Sequence, residues 1–387
     1  MAPWQRTHPW ITFRIDFQRA PWELWLLCGE AVSKCEHVAG TPLAPDTARE
    51  LMTIYLAKGA AATTAIEGNT LTEDEVRQRI AGKLRLPPSR EYLGIEVDNI
   101  TRACNEILQQ HTRGAAPPLT PERIGWFNRT ALDRLELDEH ICPGELRTYG
   151  VGVADYRGAP AEALPELMGR LCEWLNSPWI PELSAFRKRY LEPMLKAVVA
   201  HLYLAWIHPF GDGNGRTARL VEFYILVTAG VPFPAAHLLS NHYNQTRSEY
   251  YRQLAFASRS GGEVLPFCLY ALRGFVDQLR EQIDVIRQEQ AKLFWESHVR
   301  QHLGDSGPQR RRRQLVLDLA AAGRPVPRER VTDISPPVAR AYARLADKTL
   351  ARDLDALERL GLIERTDGAY RAKIEIVLAY LPPPPRS

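Results

Sequence analysis

The stretch His208-Pro209-Phe210-Gly211-Asp212-Gly213-Asn214-Gly215-Arg216-Thr217-Ala218-Arg219 gathers a histidine, a carboxylate, three glycines, an asparagine and two arginines. Each type suits phosphate chemistry. His208 can take a proton near neutral pH. Asp212 can hold a divalent cation through oxygen. The glycines let a backbone approach a ligand closely. N–H groups at a following helix start favour an anion, and Arg216 and Arg219 can grip phosphate oxygens as planar forks. Taken singly, each has a bland alternative: a structural histidine, a tight turn, a surface ion-pair network. Their order and spacing point instead to a nucleotide-binding loop. A Walker loop would need GxxxxGK[ST], which is absent. A Rossmann fingerprint would need a preceding strand, and the residues before His208 read as a helix.

Residues 193–207 are apolar nearly all round, which predicts a buried, central helix delivering His208 at its end. Residues 215–229 predict the helix after the loop, closed by Gly230. Upstream, Leu51, Ile54, Tyr55 and Ala62 recur at helical spacing over 46–66, with Asp46 as candidate cap. Gly68 or Asn69 would end that helix in a left-handed turn, and Thr72 with Glu75 forms a capping box for the next. Further helices are expected over 22–38, 91–110, from Thr120, and over 164–176, 249–257 and 266–294. Between Pro143 and Pro160 the glycines, with Tyr149, Val151, Val153 and Tyr156, predict a short β-hairpin or flap. A linker at 304–308 precedes a smaller unit: helices over 314–322, 338–345 and 350–360, then a hairpin around Asp367-Gly368. The proline-rich end, Pro382 to Pro385, is expected to be disordered.

At 387 residues the chain has room for two or three domains, and a net charge of +3 is too small to argue for nucleic acid or membrane. Its six cysteines form no CxxC pair and read as buried free thiols in a reducing compartment. The N-terminus lacks a signal-peptide pattern and no run of 18 apolar residues occurs, so the expected location is cytoplasmic, without membrane insertion.

The loop resembles the signature of the Fic (Fido) family, HxFx(D/E)GNGRxxR, and all eight specified positions match. Chance agreement is on the order of 10⁻¹⁰ per position at average residue usage. The wider resemblance covers roughly residues 50–280. It implies a mainly α fold: a Fic-type helical core with a small β-hairpin flap, plus a C-terminal winged helix-turn-helix domain. Family members mostly transfer AMP from ATP to a hydroxyl of a target protein and release pyrophosphate. The resemblance implies His208 as general base, Phe210 as the core-packed anchor of the loop, and Asp212 as ligand of Mg²⁺ (or Mn²⁺). Gly213, Asn214 and Gly215 would cradle the phosphates, with Asn214 orienting the α-phosphate. Arg216 and Arg219 would steady the β- and γ-phosphates. Such a reaction needs positioning and charge neutralisation more than covalent catalysis.

A second resemblance lies far upstream. Thr63-Thr64-Ala65-Ile66-Glu67-Gly68 matches (S/T)xxxE(G/N), the inhibitory motif of the subclass with an N-terminal inhibitory helix. It implies that Glu67 pairs with Arg219 and keeps ATP from its reactive pose; the same glutamate can instead serve de-AMPylation. The alternative is a helix cap with an exposed glutamate. Residues 144–160 resemble the family's flap, on whose edge a target segment pairs as a strand and presents a Ser, Thr or Tyr hydroxyl. Tyr250 and Tyr251 resemble the adenine and ribose pocket lining, although Ser258 stands where the family often has Asn.

The expected organisation is an N-terminal helical region over 1–115, a Fic catalytic core over 116–285, a helical linker over 286–308 and a winged helix over 309–387. In the last, residues 350–360 would be the recognition helix. Its charges are mixed, Arg352 and Arg359 against Asp353, Asp355 and Glu358, while Arg310–Arg313 could meet phosphates or form a solvated helix start. Partners considered are therefore ATP, a target protein, a second copy as homodimer, and DNA through 309–387. The main reading is an autoinhibited protein adenylyltransferase. Its rival is a DNA-binding transcriptional regulator that uses the Fic core as a nucleotide-responsive or self-modifying module.

Overall fold

The computed structural model describes residues 4–115, 117–153, 156–180 and 185–378. The chain is mainly helical and divides into two units, Met1–Ile283 and Asp284–Ser387. The expected disorder of 382–385 lies outside the described residues.

In the first unit the centre is a pair of helices, Ala185–Ile207 and Asn214–Thr228, joined by the 208–213 loop. The first starts well before Pro193, which sits inside it. The sequence places the helix start at Pro193; the helix instead continues through the proline, giving up one backbone hydrogen bond there. From Met194 to Ile207 nearly every apolar side chain is buried, among them Leu195, Val198, Leu202 and Trp206. Each fully buried side chain of this size contributes roughly 1.5–3 kcal/mol relative to exposure.

Around this pair pack the helices Pro45–Ala65, Glu91–Thr112, Pro121–Leu132 and Leu164–Asn176. Pro45 occupies the first turn of helix Pro45–Ala65 after Ala44, so Asp46 is a first-turn acid and not the cap. That helix passes helix Leu238–Gln245 at Gly59, where any Cβ would collide with the buried His237 ring. Gly68 turns the chain with φ 104°, and the Thr72/Glu75 capping box then opens helix Glu73–Ile80. The flap is a two-stranded antiparallel hairpin pairing Gly152 with Arg157 and Val153 with Tyr156.

The second unit begins within the long helix Leu265–His302, which extends past the expected end near 294 and takes up part of the expected linker. Its core joins Trp295, Val299 and Leu303 to Leu315, Leu319, Val338, Leu354, Leu357 and Ile363. Helices Gly307–Ala322, Pro336–Tyr342 and Asp347–Arg359 precede a hairpin of Ile363–Thr366 and Ala369–Ala372. A third strand, Val326–Pro327, pairs beside Ala369–Ala372 and was not legible in two residues. Asp353 is not a surface charge: it is 1% exposed and accepts from Arg311 Nε (2.8 Å), Arg312 Nε (2.6 Å) and the Tyr342 hydroxyl (3.0 Å). Burial alone would raise its pKa, but these three donors pull it below the ordinary aspartate value. Arg311 and Arg312 therefore serve this core, Arg313 pairs with Asp305, and Arg310 is exposed near the start of helix Gly307–Ala322.

Five of the six cysteines are buried and all are free, but Cys142 is exposed. Among the described residues, no helix is long and apolar enough to cross a membrane.

Candidate active site

The apolar helix Ala185–Ile207 ends where His208 takes a left-handed backbone, φ 50°, with its N–H still donating to the Leu204 carbonyl at 2.9 Å. A non-glycine residue there is held roughly 1–2 kcal/mol uphill, so the surroundings must fix it. Burial pushes the His208 ring down to about 4; a hydrogen bond to the Ala205 carbonyl opposes this, and Arg147 adds to the depression. The ring is therefore neutral at neutral pH, and with one nitrogen donating, the other is left as an acceptor for a proton.

Phe210 is 1% exposed and anchors the loop in the core. The Asn214 amide closes the loop around it: Phe210 N–H donates to Asn214 Oδ1 (2.9 Å) and Asn214 Nδ2 donates to the Phe210 carbonyl (2.8 Å). Both ends of that side chain are thus engaged, which leaves one amide N–H and one lone pair for anything bound at the loop. Asn214 also offers an anion its backbone N–H. Gly213 caps helix Asn214–Thr228 with φ 72°, so a side chain there would be strained as well as crowded by Leu132 and Asn128. The first N–H groups of that helix lack intrahelical acceptors by geometry and lie at the positive end of its dipole.

Asp212 accepts from the Gly213 N–H at 2.5 Å and lies 3.4 Å from Arg216 Nη2, with its side chain 44% exposed. Among the described residues no cluster of three or more His, Cys, Asp or Glu could hold a metal. One exposed carboxylate fits the habit of Mg²⁺, which keeps waters and takes most oxygens from a bound phosphate.

Arg219 and Arg216 are both buried. Arg219 Nη2 donates to Glu67 Oε1 at 2.5 Å and to the Thr63 carbonyl at 2.9 Å. Among the described residues, its Nε and Nη1, and the Nε of Arg216, have no hydrogen-bond partner. Burial alone would raise the Glu67 carboxyl, but Arg219, with Arg216 and Arg247 nearby, holds it below the usual range. Gly215 admits this carboxylate, for a Cβ there would meet Glu67 Oε1. Thr63 acts through its carbonyl, and Gly68 through its turn.

Tyr250 and Tyr251 part company. Tyr250 is 3% exposed, with its hydroxyl 2.7 Å from His201 Nε2. Tyr251 is exposed and donates to the Ile66 carbonyl at 3.4 Å. Several residues went unread in the sequence. Arg247 donates to the carbonyls of Ala65 (3.2 Å) and Ile66 (2.6 Å), gripping the turn that carries Glu67. Asn69 donates to Glu96 at 2.8 Å, and Arg216 Nη1 donates to Glu96 at 3.2 Å. Asn128 donates to the Asp212 carbonyl at 2.9 Å and accepts from the Gly144 N–H at 2.9 Å, joining loop to flap base. No short motif marks them, because they come from distant helices.

Comparison with known proteins gives the same neighbourhood. A Fic/DOC family model matches residues 118–226, so the chain carries a Fic/DOC family domain. Protein adenylyltransferase fic-1 of Caenorhabditis briggsae is 28% identical over 237 residues, 60% of this chain and 42% of that protein. Protein adenylyltransferase Fic of Nematostella vectensis is 32% identical over 219 residues, 54% of this chain and 45% of that protein. The chain thus spans less than half the length of these relatives. A Fic family protein from Desulfovibrio desulfuricans shares the fold with a TM-score of 0.53 at 22% identity, covering 90% of this chain and 96% of that one. Fic-1 from C. elegans gives 0.52 at 22% identity, over 68% of this chain and 72% of that one.

Proposed function

We propose that this chain is a protein adenylyltransferase, held off by its own Glu67. Arg219 carries the reading: a guanidinium buried beside a helix N-terminus, with two nitrogens lacking acceptors among the described residues and the third held by Glu67. A buried cation with unmet donors is costly, and a triphosphate supplies the oxygens that would meet them.

In the reaction, His208 takes the proton of a target hydroxyl as that oxygen attacks the α-phosphorus of ATP. The bond from the α-phosphorus to the β-bridging oxygen breaks, and pyrophosphate leaves. Arg216, Arg219 and the N–H groups at Gly213–Gly215 stabilise the phosphate charge that builds. Asp212 would hold Mg²⁺, which when bound neutralises phosphate charge. The target segment docks as an added strand on the flap at 144–160. Glu67 occupies Arg219 and places a negative charge where phosphate must lie, so transfer is slow until the Glu67 turn moves.

The organisation follows from this reading. Residues 1–115 carry the inhibitory helix and 116–285 the catalytic core; the helical segment expected as a linker over 286–308 packs Trp295, Val299 and Leu303 into the second unit, whose residues 309–387 form a winged helix-turn-helix module. Helices Gly307–Ala322, Pro336–Tyr342 and Asp347–Arg359, with the hairpin and third strand of the second unit, support that last assignment.

The test uses ATP labelled at the α-phosphate, with Mg²⁺, in a cell lysate. Wild type should label proteins weakly, Glu67→Gly strongly, and Glu67→Gly/His208→Ala not at all. An unlabelled Glu67→Gly sample would overturn the proposal.

A further inference from the structure

Arg147 is 4% exposed, and its acceptors among the described residues are all backbone carbonyls. Nε donates to the His208 carbonyl at 2.8 Å. Nη1 donates to the Tyr149 carbonyl at 2.5 Å. Nη2 donates to the carbonyls of Ala159 (2.5 Å) and Ile207 (3.4 Å), and the Arg147 N–H donates to the Pro209 carbonyl at 3.0 Å. One side chain thus spans the C-terminal end of helix Ala185–Ile207, the strained His208 and both legs of the flap. The position suits a cation, since helix C-terminal carbonyls carry partial negative charge. A planar fork with donors on three nitrogens is the one side chain that serves several carbonyls at fixed angles.

The flap backbone lies directly on His208. A Cβ at Gly158 would stand 2.9 Å from His208 Cβ and 3.0 Å from Arg147 Nη2. The Ala159 N–H donates to the Ile207 carbonyl at 3.2 Å, and the Tyr156 hydroxyl donates to the Trp206 carbonyl at 2.8 Å. Burial holds the Arg147 guanidinium below the usual arginine value, so its charge is kept there at a cost. A hub made only for stability does not require a buried charge bound to the backbone of the base.

We infer that Arg147 is a positioning residue for the transfer reaction: it fixes His208 in its left-handed turn and locks that turn to the flap edge. This rests on the adenylyltransferase reading. It goes further in placing base and target-docking edge under one side chain that contacts neither ATP nor target. Misplacing a reacting pair by about 1 Å costs on the order of 100-fold in rate.

The test is made in the Glu67→Gly protein with Arg147→Gln and Arg147→Lys. Lysine keeps the charge but replaces the fork by a single head. The expected result is ATP affinity within about twofold of the parent, and transfer slowed about 100-fold in the glutamine variant and about 10-fold or more in the lysine variant. Transfer at the parent rate in either variant overturns the inference. So does a joint fall of ATP affinity and rate in both, which marks a loss of fold. If the Glu67→Gly parent itself transfers no AMP, the adenylyltransferase reading has failed. The inference is then decided by the ring carbon-proton signal of labelled His208: a shifted signal in Arg147→Lys supports it, and an unmoved one overturns it.

Discussion

Replacing Glu67 by glycine tests the latch most sharply. The Arg219 side chain is 1% exposed and that of Glu67 31%, with 2.5 Å between Nη2 and Oε1. Exposed pairs are worth about 0.2–1 kcal/mol, whereas truncating one partner of a buried pair costs about 3–5 kcal/mol. One partner buried and the other partly wet places this pair near 2 kcal/mol, a factor of about 30 in an equilibrium. ATP must displace Glu67 to reach Arg219 productively, so the variant should transfer AMP about 30-fold faster at subsaturating ATP. The assay is the initial rate of labelled AMP incorporation with Mg²⁺, paired with thermal unfolding. Without ATP the variant leaves Arg219 unpaired in the interior, so its Tm should fall below wild type. Saturating ATP should then raise its Tm by more than it raises that of wild type. Glu67→Gln, which keeps the shape and loses the charge, should fall between the two. A folded Glu67→Gly protein that binds ATP and transfers AMP no faster than wild type refutes the reasoning.

Four further outcomes follow, three from the same site and one from the core. His208→Ala in the Glu67→Gly background should slow transfer by about 10²–10⁴-fold while ATP binding, read by calorimetry, is retained. With that ring pushed down to about 4, its neutral, active form persists on acidification, and the transfer rate should fall only as pH drops through that value. Asp212→Asn should raise the Mg²⁺ concentration for half-maximal transfer, measured by titration at fixed ATP, and leave the Tm of the free protein nearly unchanged because the side chain is 44% exposed. Burial holds the His237 ring at about 3 against an ordinary 6.5. The unfolded chain therefore binds a proton first, and stability is lost as pH falls from 6.5 toward 3, by up to about 1.4 kcal/mol per pH unit. Urea unfolding at pH 7 and pH 5 should show a smaller loss in His237→Leu than in wild type.

The loop was legible because its residues are adjacent: spacing alone brought His208, Asp212 and the two arginines to one place. The buried helix before it was legible from its apolar run, though Pro193 misled its start. Residues whose role depends on a partner far along the chain were not legible. Asp353 looked like one more surface charge until Arg311, Arg312 and Tyr342 closed on it. The second role of the Asn214 amide, holding Phe210 four residues away, left no mark in the motif. Arg147, Arg247 and Glu96 carry no local signal, because each acts on backbone or charge supplied by another element. Tyr250 and Tyr251 were read together, and helical geometry sends neighbours to different faces.

The central claim is that His208 transfers AMP once Glu67 releases Arg219. Its most direct test is intact-mass spectrometry of a target-containing mixture after incubation with ATP and Mg²⁺. Glu67→Gly should add a mass of one AMP unit to a protein in the mixture, and Glu67→Gly/His208→Ala should add none. No added mass with either protein, or the same added mass with both, contradicts the account.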